Sequence, residues 1–298
     1  MKLIDFIITV FCKIDDMLKK ITQGKRIRQR GPMPKLSDAE VITMEVVGEF
    51  LGKDKEEEIH TYFKVHWSDL FPDIPDRSVF VRQCANLWAI KQNLRQSFLK
   101  SLLEDNQQPL RIIDGFPMPI CNFRRAHFSK IFKGNADYGY CASKNQHYYG
   151  FKGHLLVDSF GTVIDLIPTP ANTDERESIF EISDQIIFRL LGDKGYILKK
   201  VSREQLQEMG IQLEPPLRDN MHETRSPRYL RWLNRTRRII ETVLGQFTER
   251  FHLEKVRARD LWHLTSRVAR KLLAHTLTHL VARSEGIFNL RFDHLITD

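Results

Sequence analysis

Cysteine is scarce in this 298-residue chain, with only Cys12, Cys84, Cys121 and Cys141. No two of them stand in CxxC spacing, which argues against a zinc site. So low a density also argues against a disulfide framework and fits a reducing, cytoplasmic compartment. Long apolar runs are missing too. The stretch from Leu3 to Cys12 is apolar, but Asp5 interrupts it, it is too short to span a bilayer, and it has no small-residue cleavage site. It reads as a packed amphipathic helix, and no membrane partner is expected. The chain shows no internal repeat and no low-complexity tract, which sets aside a repeat array. With 42% hydrophobic residues it is not a disordered chain. What is left is a globular protein long enough for two domains, or for one large domain with an appendage.

Acids are the minority charge, 38 Asp and Glu against 46 Lys and Arg, for a formal net charge of +8. The excess is concentrated. Residues 222–283 carry fourteen Lys or Arg and five acids, a local excess of nine that exceeds the excess of the whole chain. A second basic run, Lys25-Arg26-Ile27-Arg28-Gln29-Arg30, lies near the N-terminus. Such fields attract phosphate backbones; solvated helix faces are the plain alternative.

Residues 1–104 read as helical. Ser37-Asp-Ala-Glu40 has the form of a capping box, opening a helix that runs to about Phe50 or Leu51 and stops at Gly52. A second helix spans Glu56 to Trp67. Ser78 is placed to cap a third, long helix with Phe80, Cys84, Leu87, Leu94 and Phe98 on one stripe. Short helices with a basic arm suit a helix-turn-helix type of DNA-binding module, or a plain bundle packed on the next domain. At Gln107-Gln108-Pro109 the character changes. Leu110–Ile113 is a short strand ending at Asp114-Gly115, and 154–167 reads as a hairpin turning at Ser159–Gly161. Asn172 or Thr173 caps a helix to about Leu190, with Asp174, Glu175 and Glu177 in its first turn. A buried strand at Leu190-Leu191 ends at Asp193, and 211–213 is a further short strand. After Pro227 two long basic helices follow. The order predicts a mixed α/β domain, a central sheet flanked by helices, over 105–298.

Two acids therefore stand at the C-terminal ends of predicted strands, Asp114 in RIIDG and Asp193 in LLGDKG, where α/β sheets bind ligands. If the strands are neighbours, both face one crevice. A third acid, Glu241, lies in RRIIETVLG, with Gly245 one turn on. Three converging carboxylates repel one another unless a cation neutralises them, and hard oxygen ligands select Mg²⁺ or Mn²⁺. Two such ions about 3.5–4 Å apart serve phosphodiester chemistry. Each acid also has a structural reading: Asp114 and Asp193 as turn residues, Glu241 as an ion-pair partner of Arg237 or Arg238. His275 and His279 have metal-ligand spacing on a helix but read as core or surface-lining residues. Asp174, Glu175 and Glu177 read as helix N-terminal acids, with a metal cluster as the less favoured alternative, and Asp158 and Asp165 as structural residues flanking a turn. Phe116, Phe123 and Phe128 read as core, with stacking on an unpaired base as the alternative.

The motifs RIIDGFPMPICNFRRAHF, HYYGFKGHLLVDSFG, IPTPANTDE, LLGDKGY and RRIIETVLGQFTERF, in that order, resemble the DDE transposases of bacterial insertion sequences, most of all the insertion sequence 982 family. KLSDAEVITMEVVGEFLG and SVFVRQCANLW resemble that family's helical leader. The resemblance implies a ribonuclease-H-like catalytic domain behind a helical DNA-binding domain, with Asp114, Asp193 and Glu241 as catalytic metal ligands. It implies Mg²⁺ or Mn²⁺, two ions, and a bacterial protein working at the nucleoid. Relatives carry Y-x2-R-x3-E-x6-K around the glutamate; here the arginine is Arg237, but Asn234 and Thr248 stand at the tyrosine and lysine positions, with Arg250 or Lys255 as substitutes. Lys152 and His154 match a basic hairpin pair expected to face DNA phosphate, and Lys194, Arg237 and Arg238 are further expected phosphate contacts. The implied activity is binding of terminal inverted repeats, cleavage to free a 3′-hydroxyl and transfer of that hydroxyl to target DNA, by at least a dimer. A structure-specific nuclease of the same fold and a non-catalytic regulator derived from a transposase are the alternatives.

Overall fold

The computed structural model describes residues 1–28, 31–104, 109–186, 188–218, 220–288, 290 and 292–297. Gln29 and Arg30 of the first basic run, and Gln107-Gln108 where the sequence changes character, lie outside the described residues. The N-terminal helices are α1 (Leu3–Thr22), α2 (Asp38–Phe50), α3 (Glu56–His66), α4 (Arg77–Asn86) and α5 (Trp88–Glu104). Then come β1 (Leu110–Pro119), β2 (Asp137–Cys141), β3 (Gln146–Asp158), β4 (Val163–Pro170), α6 (Glu175–Ile182), β5 (Arg189–Leu191), α7 (Lys200–Glu208) and β6 (Gln212–Leu213). Two long helices, α8 (Pro227–Glu249) and α9 (Leu261–Ser284), follow. None of the described helices is long and apolar enough to cross a membrane.

The chain forms two units: Met1–Asp105 with Thr248–Leu253 and Asp260–Asp298, and Asn106–Phe247 with Glu254–Arg259. Residues 260–298, expected with the sheet domain, thus group with the N-terminal helices.

In the helical unit α2 is the centre. Ser37 accepts from the Glu40 amide at 3.2 Å and Glu40 Oε2 accepts from the Ser37 amide at 2.6 Å, so the capping box is formed. From Val41 to Phe50 every residue of α2 is buried, including Glu45 and Glu49. Buried carboxylates need cations, and these come from far along the chain. Lys91 Nζ bonds Glu45 at 2.9 Å, Arg270 Nε bonds Glu49 Oε1 at 2.6 Å, and Lys271 Nζ bonds Glu49 Oε2 at 2.8 Å. Arg270 also reaches Glu56 at 2.6 Å and the Asp54 carbonyl at 2.9 Å. Three cations counted in the C-terminal basic excess, Arg267, Arg270 and Lys271, are therefore buried in this network rather than turned to solvent. The single long helix expected after Ser78 is two helices, interrupted at Leu87. Asp76, extended after Pro75, starts the first of them two residues before Ser78.

The second unit is built on one mixed sheet in the order β2-β3-β1-β5-β6, with β4 also paired to β3. β1 runs antiparallel to β3 over 111–119 and parallel to β5 over 110–112 only. Beyond Ile112 it has a partner on one side, which is why Pro117 and Pro119 are tolerated in it. Ile112, Ile113, Leu155, Leu156, Leu190 and Leu191 are fully buried and form the sheet's core. The strand expected to stop at Ile113 continues through Asp114 to Pro119, because β3 continues to pair with it. The helix expected to reach Leu190 ends at Ile182, since 189–191 are extended to pair with β1. Its cap is Asp174, which accepts from the Arg176 amide at 3.0 Å.

α8 is strongly amphipathic. Leu233, Ile240, Val243 and Phe247 are buried. Arg228, Arg231, Arg235 and Arg238 are exposed and recur at helical spacing along another face.

Candidate active site

Parallel pairing places the first two acids side by side. Leu110 pairs with Arg189 and Ile112 with Leu191. Asp114 lies two residues past Ile112 and Asp193 two residues past Leu191, so both stand two residues beyond the last paired rung, where β1 and β5 part. Each carboxylate is held by a nearby amide: Gly115 N–H donates to Asp114 Oδ1 at 2.8 Å, and Gly195 N–H donates to Asp193 Oδ1. Burial pushes the Asp114 carboxyl up to about 7, and the charges of Asp193 and Glu175 push the same way; the Gly115 amide and Arg237 pull it down.

A third carboxylate at this place is Glu175, the first residue of α6. A side chain at Gly195 would collide with Glu175 Oε2 and come within 2.9 Å of Asp193 Oδ1. A side chain at Gly115 would lie 3.4 Å from Glu175 Oε1 and 3.6 Å from the Tyr196 hydroxyl. Of the glycines of GDKG, Gly195 thus makes room for the chain's own carboxylates and Gly192 for Tyr196, whose Cβ and ring would lie 2.9–3.0 Å from an added Cβ. Lys152, on β3 opposite Pro117 of β1 and Thr169 of β4, pairs with Glu175 Oε1 at 3.5 Å and donates to the Thr173 carbonyl at 3.3 Å. Tyr196 is fully buried, its hydroxyl has no hydrogen-bond partner among the described residues, and Glu175, Asp114 and Asp193 act on it together.

Glu241 is exposed on α8, one turn beyond Arg237, which acts on Asp114. Gly245 leaves open space beside that face. Among the described residues no three His, Cys, Asp or Glu side chains are set to hold an ion as they stand. The donor chemistry nonetheless suits one. Asp114, Asp193 and Glu175 are hard oxygen donors facing a buried, unpartnered hydroxyl, a set that fits Mg²⁺ or Mn²⁺ and not a soft metal.

The expected phosphate contacts fall into different environments. Lys194 is exposed beside Asp193, and Arg238 belongs to the exposed stripe of α8. Lys255 is exposed and lines a groove of about 660 Å³ with Phe123, Arg124, Lys144 and Glu254. His154 is a correction: it is fully buried, its Nε2 lies 3.0 Å from Thr169 Oγ1, and burial lowers its pKa to about 4. A neutral imidazole inside the sheet offers phosphate neither charge nor surface. Arg250, in the helical unit, donates to the Phe50 carbonyl at 3.0 Å, pairs with Asp293 and lies over the Phe50 ring at 4.9 Å. Its guanidinium is spent on packing.

His275 and His279 are buried in the helical unit beside Phe292, with burial lowering both pKa values, as for core residues. Asp158 Oδ1 accepts from the Phe160 and Thr162 amides at 2.8 Å each, which fixes the hairpin turn. Phe116 is buried, while Phe123 and Phe128 are exposed.

The sequence assigned Glu175 to its helix start and Tyr196 to no role. Glu175 was hidden among three acids at a helix start, where the dipole alone accounts for them. Its only distinguishing signal is its place directly after a strand that pairs beside Lys152.

Residues 104–261 match the family model described as a transposase DDE domain, just over half of the chain. No curated protein matches the chain.

Proposed function

The chain belongs to the transposase DDE domain family, and from that premise we propose that it is a DNA transposase that binds insertion-sequence ends, cuts at their 3′ ends with divalent-metal help, and joins the freed hydroxyl to target DNA. The observation that carries this reading is the alignment of Asp114 and Asp193 at the parting of two parallel strands, within the matched span. The mixed sheet flanked by helices supports a ribonuclease-H-like domain, and the quoted motifs support kinship with the insertion sequence 982 family.

Asp114 and Asp193 would hold Mg²⁺ or Mn²⁺, two ions in the full assembly, with Glu241 the expected third catalytic acid. When bound, the metal supplies Lewis-acid stabilisation of charge developing at the scissile phosphate. The protein's own part is positional. The Gly115 and Gly195 amides hold the two aspartates in place. Arg237 offsets part of the charge of Asp114. Arg238 and the rest of the α8 stripe, with Lys194 and Lys255, track the backbone and hold the DNA end against the acids. The helical unit binds the terminal repeats, and two ends brought together call for at least a dimer.

The test is a cleavage and strand-transfer assay on DNA carrying the element's own ends, in Mg²⁺, Mn²⁺ or EDTA. Asp114→Ala, Asp193→Ala and Glu241→Gln are each expected to abolish metal-dependent nicking while DNA binding survives. Full activity in any one variant removes that residue from the site. Cutting without joined products makes the protein a nuclease, and binding without cutting under every metal condition makes it a regulator.

A further inference from the structure

Glu175 and Lys152 form a pair whose position is unusual for a surface ion bridge. Lys152 is mostly buried on the strand beside β1, and its partner is a carboxylate that also faces Asp193 and Gly115. One oxygen of Glu175 and Asp193 Oδ1 both occupy the space a side chain at Gly195 would need, and the other oxygen and the Tyr196 hydroxyl both border that space at Gly115. Glu175 thus lies against Asp193 and beside the Lys152 ammonium, and the charges of Glu175 and Asp193 both act on Asp114. The hydroxyl is a separate observation. A buried O–H without an acceptor costs roughly 1–3 kcal/mol, and this one lies fully buried within the field of all three acids. Such a donor suits a pocket whose oxygens are reorganised when a ligand enters. Acids this close attract a hard divalent cation, and Lys152 supplies a single positive charge where a cation would supply two.

We propose that Glu175 is a further oxygen ligand of the divalent-cation site at Asp114 and Asp193, and that Lys152 stands in for the cation until it binds. The proposal rests on the reading of those two aspartates as metal ligands. Cation entry releases Lys152 from Glu175, and the freed ammonium, next to the site, becomes available to substrate phosphate. Lys152 thereby gains a role that depends on metal loading, and Glu175 acts beside Glu241 rather than in its place.

The experiment is Mn²⁺ binding by the full-length protein without DNA, followed by calorimetry and by the electron paramagnetic resonance of free Mn²⁺. Wild type, Asp193→Ala, Glu175→Gln, Glu177→Gln and Lys152→Met are compared. Glu177, exposed on the same helical turn, is the control for general charge loss. Asp193→Ala is expected to lose binding. Glu175→Gln is expected to bind about ten- to hundredfold more weakly, with its metal-free melting temperature unchanged, and Glu177→Gln to bind as wild type. Lys152→Met keeps every carboxylate and is expected to bind Mn²⁺ several-fold more tightly, which tests the stand-in role even if Glu175→Gln folds poorly. If Asp193→Ala loses binding while Glu175→Gln binds as wild type, the assignment of Glu175 is overturned and the aspartates stand. Lys152→Met binding no tighter than wild type overturns the stand-in role. If Asp193→Ala binds as wild type, or the wild type shows no saturable binding, the underlying reading of the aspartates falls as well.

Discussion

Removing the charge of Asp114 should stabilise the protein, and the gain should grow with pH. An aspartate ordinarily titrates near 3.8, and burial beside Asp193 and Glu175 pushes this one up to about 7. Each tenfold change in proton affinity corresponds to about 1.36 kcal/mol, so keeping the carboxylate ionised in the folded protein costs at most about 4 kcal/mol. The sign follows from the folded pKa lying above the unfolded one: the stability is fully present below about 3.8 and is lost as pH rises through about 7. Between pH 5 and pH 8 the loss is at most about 2–3 kcal/mol, and solvent at the half-buried carboxyl reduces it to about 1–2 kcal/mol. Asp114→Asn cannot ionise and escapes this loss. The assay is thermal and urea unfolding of both proteins in EDTA at a series of pH values. The variant's advantage should widen by a few degrees in melting temperature from pH 5 to pH 8. Adding Mg²⁺ should then close the gap by stabilising the wild type alone. Parallel pH curves, or a gap that narrows with rising pH, would refute the claim that Asp114 is held in a charge-repelling pocket.

Further outcomes follow from the surrounding structure. Arg270→Met leaves Glu49 and Glu56 without their nearest cation, and should cost about 3–5 kcal/mol in urea unfolding; a loss under about 1 kcal/mol would show that the buried network reorganises freely. Replacing Arg231, Arg235 and Arg238 together by Gln should lower the slope of log affinity against log salt for duplex DNA by about three, if each meets one phosphate; an unchanged slope would place the DNA elsewhere. Burial holds His154 near 4 and His279 near 3, below the usual 6.5. Their contribution is present above about 6.5 and is lost as pH falls from there towards 4, so unfolding free energy should drop over that window, and His154→Gln should flatten the drop.

The sequence by itself determined what depends on near neighbours. The Ser37–Glu40 capping box closes within one helical turn. The two long basic helices expected after Pro227 are formed as α8 and α9. The runs before Asp114 and Asp193 are apolar because they are core strands, so the two acids at their ends were legible as a pair. Whether the pair met was decided by tertiary structure: the parallel register of β1 and β5, set by residues about 79 apart in the chain, aligns them. The same holds for every charge whose role was not legible. Arg270 counts towards the C-terminal basic excess until Glu49, 221 residues away, claims it. His154 reads as a cation until strand pairing on both sides excludes water from it. Glu175 reads as a helix-start acid until the fold brings it to Asp193 and Lys152. Periodicity and capping are set by local backbone geometry and can be read along the chain, but the function of a charge depends on its solvation and its partners, and those exist only once distant segments have packed.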